Sequence, residues 1–153
     1  MKKLFGEILD GRLFGHPIHM MLVHFPSALF PMSVVFDLAS IYFEDNNLSL
    51  FSFYSAAAGI TLGWFALIFG IIDLLKIESQ PKAFSKALLH GGLNLTWLII
   101  FSVFVGIDFK TYPQINFPNI LEVVVKIWTV IGILFSNFLG GELVLRFNIG
   151  KKK

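Results

Sequence analysis

No cysteine occurs in the 153 residues. Disulfides, iron–sulfur clusters, thiolate zinc sites and covalent c-type haem attachment by this chain are therefore excluded. Charge is also scarce: Asp, Glu, Lys and Arg make up 14% of the chain, against roughly a quarter in a soluble domain. That deficit points to lipid as the solvent. The net charge is only +2, and no basic stripe with interleaved aromatics exists, so nucleic acid is not an expected partner. Hydrolytic signatures are missing too, with no GxSxG, HExxH or P-loop. The first apolar run follows a segment of mixed charge, MKKLFGEILDGRLFGHP, without a small-residue cleavage site. A cleaved signal peptide is not expected.

What the chain has is hydrophobicity, at 56% with 18 Phe. A helix needs about 20 apolar residues to cross the hydrocarbon core, and four stretches qualify: 20–43, 48–75, 87–107 and 119–147. Short polar breaks separate them, EDNN, KIESQPKAFSK and DFKTYPQINFPN, each with helix breakers or turn formers. The runs are too long, and too uniformly apolar, for barrel strands. The expected fold is all-α, a single-domain integral membrane four-helix bundle running up-down-up-down. A short interfacial helix over LFGEILDGRLF is expected before it.

Lys and Arg in the connections set the expected orientation. Lys2, Lys3, Arg12, Lys76, Lys82, Lys86, Arg146 and Lys151 to Lys153 fall on one side, and only Lys110 on the other. Both termini are therefore expected to be cytoplasmic. That topology brings polar residues from all four spans to the cytoplasmic third: His19 and His24, Asp73, His90 and Asn94, then Asn137, Gly140, Gly141, Glu142 and Arg146. Ionisable residues inside spans are costly and are functional candidates. His90, Asn94 and Trp97 share one helical face at i, i+4, i+7. Ala56, Gly63 and Gly70 form a small-residue stripe that permits close helix approach and leads on to Asp73.

Three of the four histidines stand in HPIHMMLVHFP, residues 16–26. Pro26 and Pro31 each remove a helical hydrogen bond, so this segment is either a bent lead-in or a separate short helix. For His24 and His90 the functional reading is axial ligation of one b-type haem. His19 is the possible alternative partner, and His16 an interfacial anchor. Asp73 is a candidate for orienting a ligating imidazole, or else an ion-pair partner of Lys76 or Lys86. Glu142 is expected to pair with Arg146, with metal ligation as its other reading. The same His, Asp and Glu set suggests a non-haem iron, copper or zinc site, or proton handling; no Glu-x-x-His pair supports a di-iron version. A third reading has no cofactor, with the histidines only satisfying hydrogen bonds in a structural subunit of a larger complex. Asp37, and Glu122 with Lys126, read as local structure.

Three motifs in order carry a family resemblance: HMMLVHFPSALF with a helical Asp, then HGGLNL, then LGGELVLRFNIG. The chain resembles the bacterial predicted membrane proteins known as domain of unknown function 2231. The matching residues are His19 and His24, His90 and Asn94, and Gly140, Gly141, Leu143 and Val144. After ELV, where an aromatic residue and a more glycine-rich tail are common, Leu145 and RFNIG stand instead. The resemblance implies a four-helix protein of the bacterial inner membrane. Some members look fused to Rieske-type or cytochrome c domains, which implies a redox setting, a haem more than another cofactor, and a redox or membrane-complex partner besides lipid.

Overall fold

The structure is a computed structural model that describes residues 2–150, with side chains from Leu4 onward. Lys151 to Lys153, and the side chains of Lys2 and Lys3, which entered the orientation argument, lie outside the described residues. Six helices and one small hairpin follow in order: α1 (Lys2–Leu9), β1 (Arg12–Leu13), β2 (His16–Pro17), α2 (Ile18–Leu22), α3 (His24–Phe43), α4 (Asn46–Leu75), α5 (Pro81–Asp108) and α6 (Ile120–Phe147). Four helical runs, Ile18–Phe43 and α4 to α6, are long and apolar enough to cross a membrane. The protein is an all-α four-helix membrane bundle.

Local chemistry sets the helix ends. EDNN serves both helices it joins: Glu44 takes a left-handed conformation, φ 52°, to end α3, and the Asp45 side chain accepts from the Asn47 N–H to start α4. Asn119 caps α6 in the same way on the Glu122 N–H, at 2.9 Å. Pro81 opens α5, where no N–H is needed.

The first span resolves as two helices. Pro26 has no N–H to complete a regular turn. The chain passes from α2 to α3 through Val23, whose N–H reaches the His19 carbonyl at 3.0 Å and whose carbonyl accepts from Ser27 at 3.3 Å. Within HPIHMMLVHF, Ile18–Leu22 is thus a separate short helix leading into the span, while His16 and Pro17 belong to the hairpin and His24 and Phe25 to α3.

Ahead of it the expected interfacial helix is shorter than LFGEILDGRLF. It stops at Leu9, and the chain then makes a two-residue antiparallel hairpin pairing Arg12 with Pro17 and Leu13 with His16. Phe14 and Gly15, at φ 51° and 78°, form its turn. Two consecutive positive φ values match the right-handed twist of a tight hairpin. Leu4, Phe5, Leu9 and Phe14 stay exposed, an apolar patch suited to a membrane interface.

Neighbouring helices run antiparallel, and α3 against α6 closes the ring. Small residues set the register of α3 on α4. A Cβ at Gly59 would meet the Phe30 ring at 2.8 Å, one at Gly63 would reach the Pro26 Cβ at 3.8 Å, and one at Gly70 the His19 Nδ1 at 3.0 Å. These pairs step along the two helices in opposite directions at constant register. In the middle, Phe30 stacks on Phe101 at 4.0 Å, packed with Ala56, Leu98 and Ile133. Outward-facing residues such as Trp128 and Leu134 remain exposed for lipid.

The tightest of these glycine contacts is between α5 and α6, where a Cβ at Gly132 would lie 2.4 Å from the Trp97 ring. Gly132→Ala is expected to cost about 1–3 kcal/mol through overpacking. Gly106→Ala, which meets nothing within 4 Å, should not destabilise. Thermal unfolding of both variants in detergent checks the pair, and equal melting temperatures would refute it.

Candidate functional site

The up-down topology gathers polar groups at the end of the bundle where α2 enters and α6 leaves. Two histidines dock there in the same way. His19 Nδ1 lies 2.7 Å from the Ala66 carbonyl of α4, and His90 Nδ1 lies 2.7 Å from the Ser136 carbonyl of α6. Each carbonyl stands four residues before a glycine, Gly70 or Gly140. A Cβ on either glycine would crowd the ring, at 3.0 Å from His19 Nδ1 and 2.9 Å from His90 Cε1. The sequence thus places a bare backbone where each imidazole must lie flat on a helix.

A carbonyl only accepts, so Nδ1 carries the proton on both rings. This leaves each Nε2 with a lone pair. His90 Nε2 accepts from the Asn94 amide at 3.1 Å, and the Ser136 hydroxyl donates to the His90 carbonyl at 3.2 Å. The two rings face each other nearly perpendicular, with centroids 6.3 Å apart. Both line one cavity of about 630 Å³, with Asn94, Trp97 and Gly141 also in its wall. Trp97 Nε1 is a buried donor with no hydrogen-bond partner.

Of the residues expected from sequence, His90 and Asn94 stand together at the centre. The ring facing His90 is that of His19, whereas the expected pair was His24 with His90. His24 lines the same cavity, but its side chain is exposed. The α2–α3 break explains this, because it lets α2 pack its own His19 against Gly70. His16 is exposed on the hairpin. Asp73 does not orient an imidazole: backbone carbonyls do that, while Asp73 sits 3.6 Å from Lys76, against Gly11. Lys76 also donates to the Asp10 carbonyl, which ties the N-terminal segment to α4. Glu142 pairs with Arg146 at 2.8 Å, and also with Lys86 from α5. Among the described residues, no three His, Cys, Asp or Glu lie close enough to share a metal ion. The His–Asp–Glu metal set is therefore not assembled.

Asp37, Glu122 and Lys126 are more than local structure. At the opposite end of the bundle Lys126 Nζ sits 2.9 Å from Asp37 Oδ2 of α3 and 2.7 Å from Glu122 Oε1, and its side chain is only 3% exposed. The Glu122–Lys126 spacing was visible in sequence. The partner 89 positions away follows from no local spacing, only from the bundle topology.

These features define a small integral membrane protein with two polar sites inside its helix bundle, one of them a paired-histidine cavity. The chain belongs to the family described as predicted membrane protein (DUF2231), whose family model matches residues 15–153. The match takes in both docked histidines and all four spans. No curated protein and no solved structure matches the chain.

Proposed function

We propose that the chain is a cytochrome-like membrane protein that binds one b-type haem in the histidine cavity, with His19 and His90 as axial ligands. The carrying observation is the pair of imidazoles, each held at Nδ1 by a backbone carbonyl and facing the other across the cavity at 6.3 Å. The Nε2 atoms of His19 and His90, left free of the backbone by these bonds, are the atoms that would hold the iron. The carbonyl acceptors fix the tautomer and raise the basicity of each Nε2. A pair of protein ligands suits a metal that brings its own equatorial nitrogens, as iron does in haem, better than a bare ion that needs three or four.

Bound there, haem would supply reversible one-electron chemistry. The chain's residues would hold and shield it. Gly70 and Gly140 keep the rings flat against α4 and α6. Asn94, whose amide donates to His90 Nε2, would give up that contact to a bound iron and stay a donor beside the ring. Trp97 Nε1–H offers an unpaired donor to whatever fills the cavity. In this reading the histidine end faces the cytoplasm of a bacterial inner membrane, following the Lys and Arg distribution, and electrons pass to a partner in the membrane.

Absorption spectra of the purified chain, expressed with ample haem, test the proposal. A Soret band and a dithionite-reduced α-band are expected. His19→Ala and His90→Ala should each lower haem occupancy at least tenfold, while His24→Ala should retain it. A wild-type protein without a Soret band would sink the haem reading. Retention in His19→Ala with loss in His24→Ala would move the second ligand back to His24.

A further inference from the structure

The histidine cavity has a mouth on its side, between α4 and α5. These helices touch where Gly63 meets Leu98, a Cβ at 63 standing 2.8 Å from the Leu98 side chain. Two turns closer to the histidines they have parted. Gly91 lines the cavity there, yet a Cβ on it would meet nothing within 4 Å. Ile71 of α4 and Leu88 and Leu95 of α5 edge the gap. All three line the cavity and are also exposed, at 50%, 55% and 36%. Side chains that face the interior and the outside at once mark an opening.

The depth of the mouth selects what can pass. Lys86, little more than one turn before Gly91, is paired with Glu142 and marks the charged layer. The mouth begins beyond it, on the helix Pro81–Asp108, which is apolar enough to cross a membrane. A molecule reaching it must therefore be at home in hydrocarbon. Among the described residues no Lys or Arg lines the cavity wall at this mouth, so an anionic headgroup has no counter-ion there.

The polar groups behind the mouth narrow the choice further. Asn94, one turn from Gly91, gives one amide hydrogen to His90 Nε2 at 3.1 Å. Its second hydrogen and its carbonyl oxygen are left for a ligand. Trp97 Nε1–H, one turn further along α5, is buried and has no hydrogen-bond partner. A neutral, lipid-soluble molecule with an oxygen acceptor suits both donors. An amide that can give or take a hydrogen bond suits an oxygen that alternates between C=O and O–H, as the ring oxygen of a quinone does. A planar ring also suits a slot between two helices that is bare at a glycine.

We propose that this mouth seats the ring of a lipid-soluble quinone, which enters from the bilayer between α4 and α5 and sets a ring oxygen on the Asn94 amide. Binding makes and breaks no covalent bond. The seat lies beside the Nε2 atoms of His19 and His90 and does not need them, so it stands or falls apart from the haem reading.

Photolabelling of the full chain in phosphatidylcholine vesicles, without added haem, tests it. The probe is a decyl benzoquinone carrying an aryl azide, and mass spectrometry locates the labelled residues. Label is expected at Ile71 and within Leu88 to Leu95, and excess decylubiquinone, but not decylbenzene, should displace it. Gly91→Leu, which fills the mouth, should cut the labelling at least tenfold. Asn94→Leu should abolish the preference for decylubiquinone over decylbenzene. Gly106→Leu, on the same helix and equally free of neighbours, should label as wild type does. Should Gly91→Leu fail to fold, Leu95→Trp at the rim provides the block. Label spread along the lipid-facing surface without displacement overturns the proposal. So does displacement by decylbenzene in the wild-type chain, or labelling that neither blocking variant lowers.

Discussion

Lys126→Met is expected to lower the unfolding free energy by about 3–5 kcal/mol, the cost of stripping a partner from a buried ion pair. The Lys126 and Asp37 side chains are 3% and 4% exposed, and Glu122 is 13% exposed. Methionine matches the length of the lysine stem and can keep its contact with the Phe104 ring, 5.4 Å from Nζ. The loss is therefore electrostatic and not a cavity effect. Two carboxylates would remain without a counter-charge, and Asp37, at 4% exposure, has almost no water to compensate it. Asp37→Asn should cost less, because Lys126 keeps Glu122. The double variant Lys126→Met/Asp37→Leu should recover much of the single-variant loss, since an apolar pair in place of a buried ion pair is often neutral. Unfolding in mixed micelles with increasing denaturing detergent measures all three. A Lys126→Met protein as stable as wild type would show that the pair contributes nothing.

The four spans were legible because a membrane helix announces itself by run length alone, and the C-terminal ends of α3 and α4, Phe43 and Leu75, are the expected ones. α5 starts at Pro81, six residues before the expected 87; the expectation is late because Lys82 and Lys86 look like loop charges. In the structure Lys86 lies on the helix and reaches Glu142. The histidine site was half legible. Sequence spacing puts His90 with Asn94, but choosing between His19 and His24 depends on how α2 turns at Val23, and no periodicity crosses that break. A usable signal did exist: the stripe Ala56, Gly63, Gly70 leaves a gap opposite the start of the first span, and His19 fills it. The Asp37–Lys126 pair was legible in principle, since a lysine six residues inside an apolar run needs an acid at the same depth on a neighbouring helix, and up-down topology offers Asp37. The hairpin was not legible, because Phe14 in a left-handed conformation carries no turn signature.

Gly140→Ala and Gly70→Ala should each disable the paired-histidine site while leaving every imidazole in the sequence. A Cβ at position 140 would stand 2.9 Å from His90 Cε1, and one at 70 would stand 3.0 Å from His19 Nδ1. Neither ring can retreat without breaking its 2.7 Å bond to Ser136 or Ala66. Overpacking costs about 1–3 kcal/mol, and the gain in helix propensity from Gly to Ala, about 1 kcal/mol, offsets part of it. Fold stability should therefore change little, while the positions of the Nε2 lone pairs change a great deal. On the haem reading, disturbing groups that orient a ligand costs about 10–100-fold in affinity, and haem occupancy should fall in that range. Gly141→Ala is the matched control: it lies in the same cavity wall, but its Cβ meets nothing within 4 Å, and it should bind as wild type does. Spectral titration with haem, together with melting curves for the three variants, separates the outcomes. Wild-type haem binding by both Gly140→Ala and Gly70→Ala would show that the docked rings are not the ligands. Loss in all three would point to a cavity that tolerates no added bulk, whatever its histidines do.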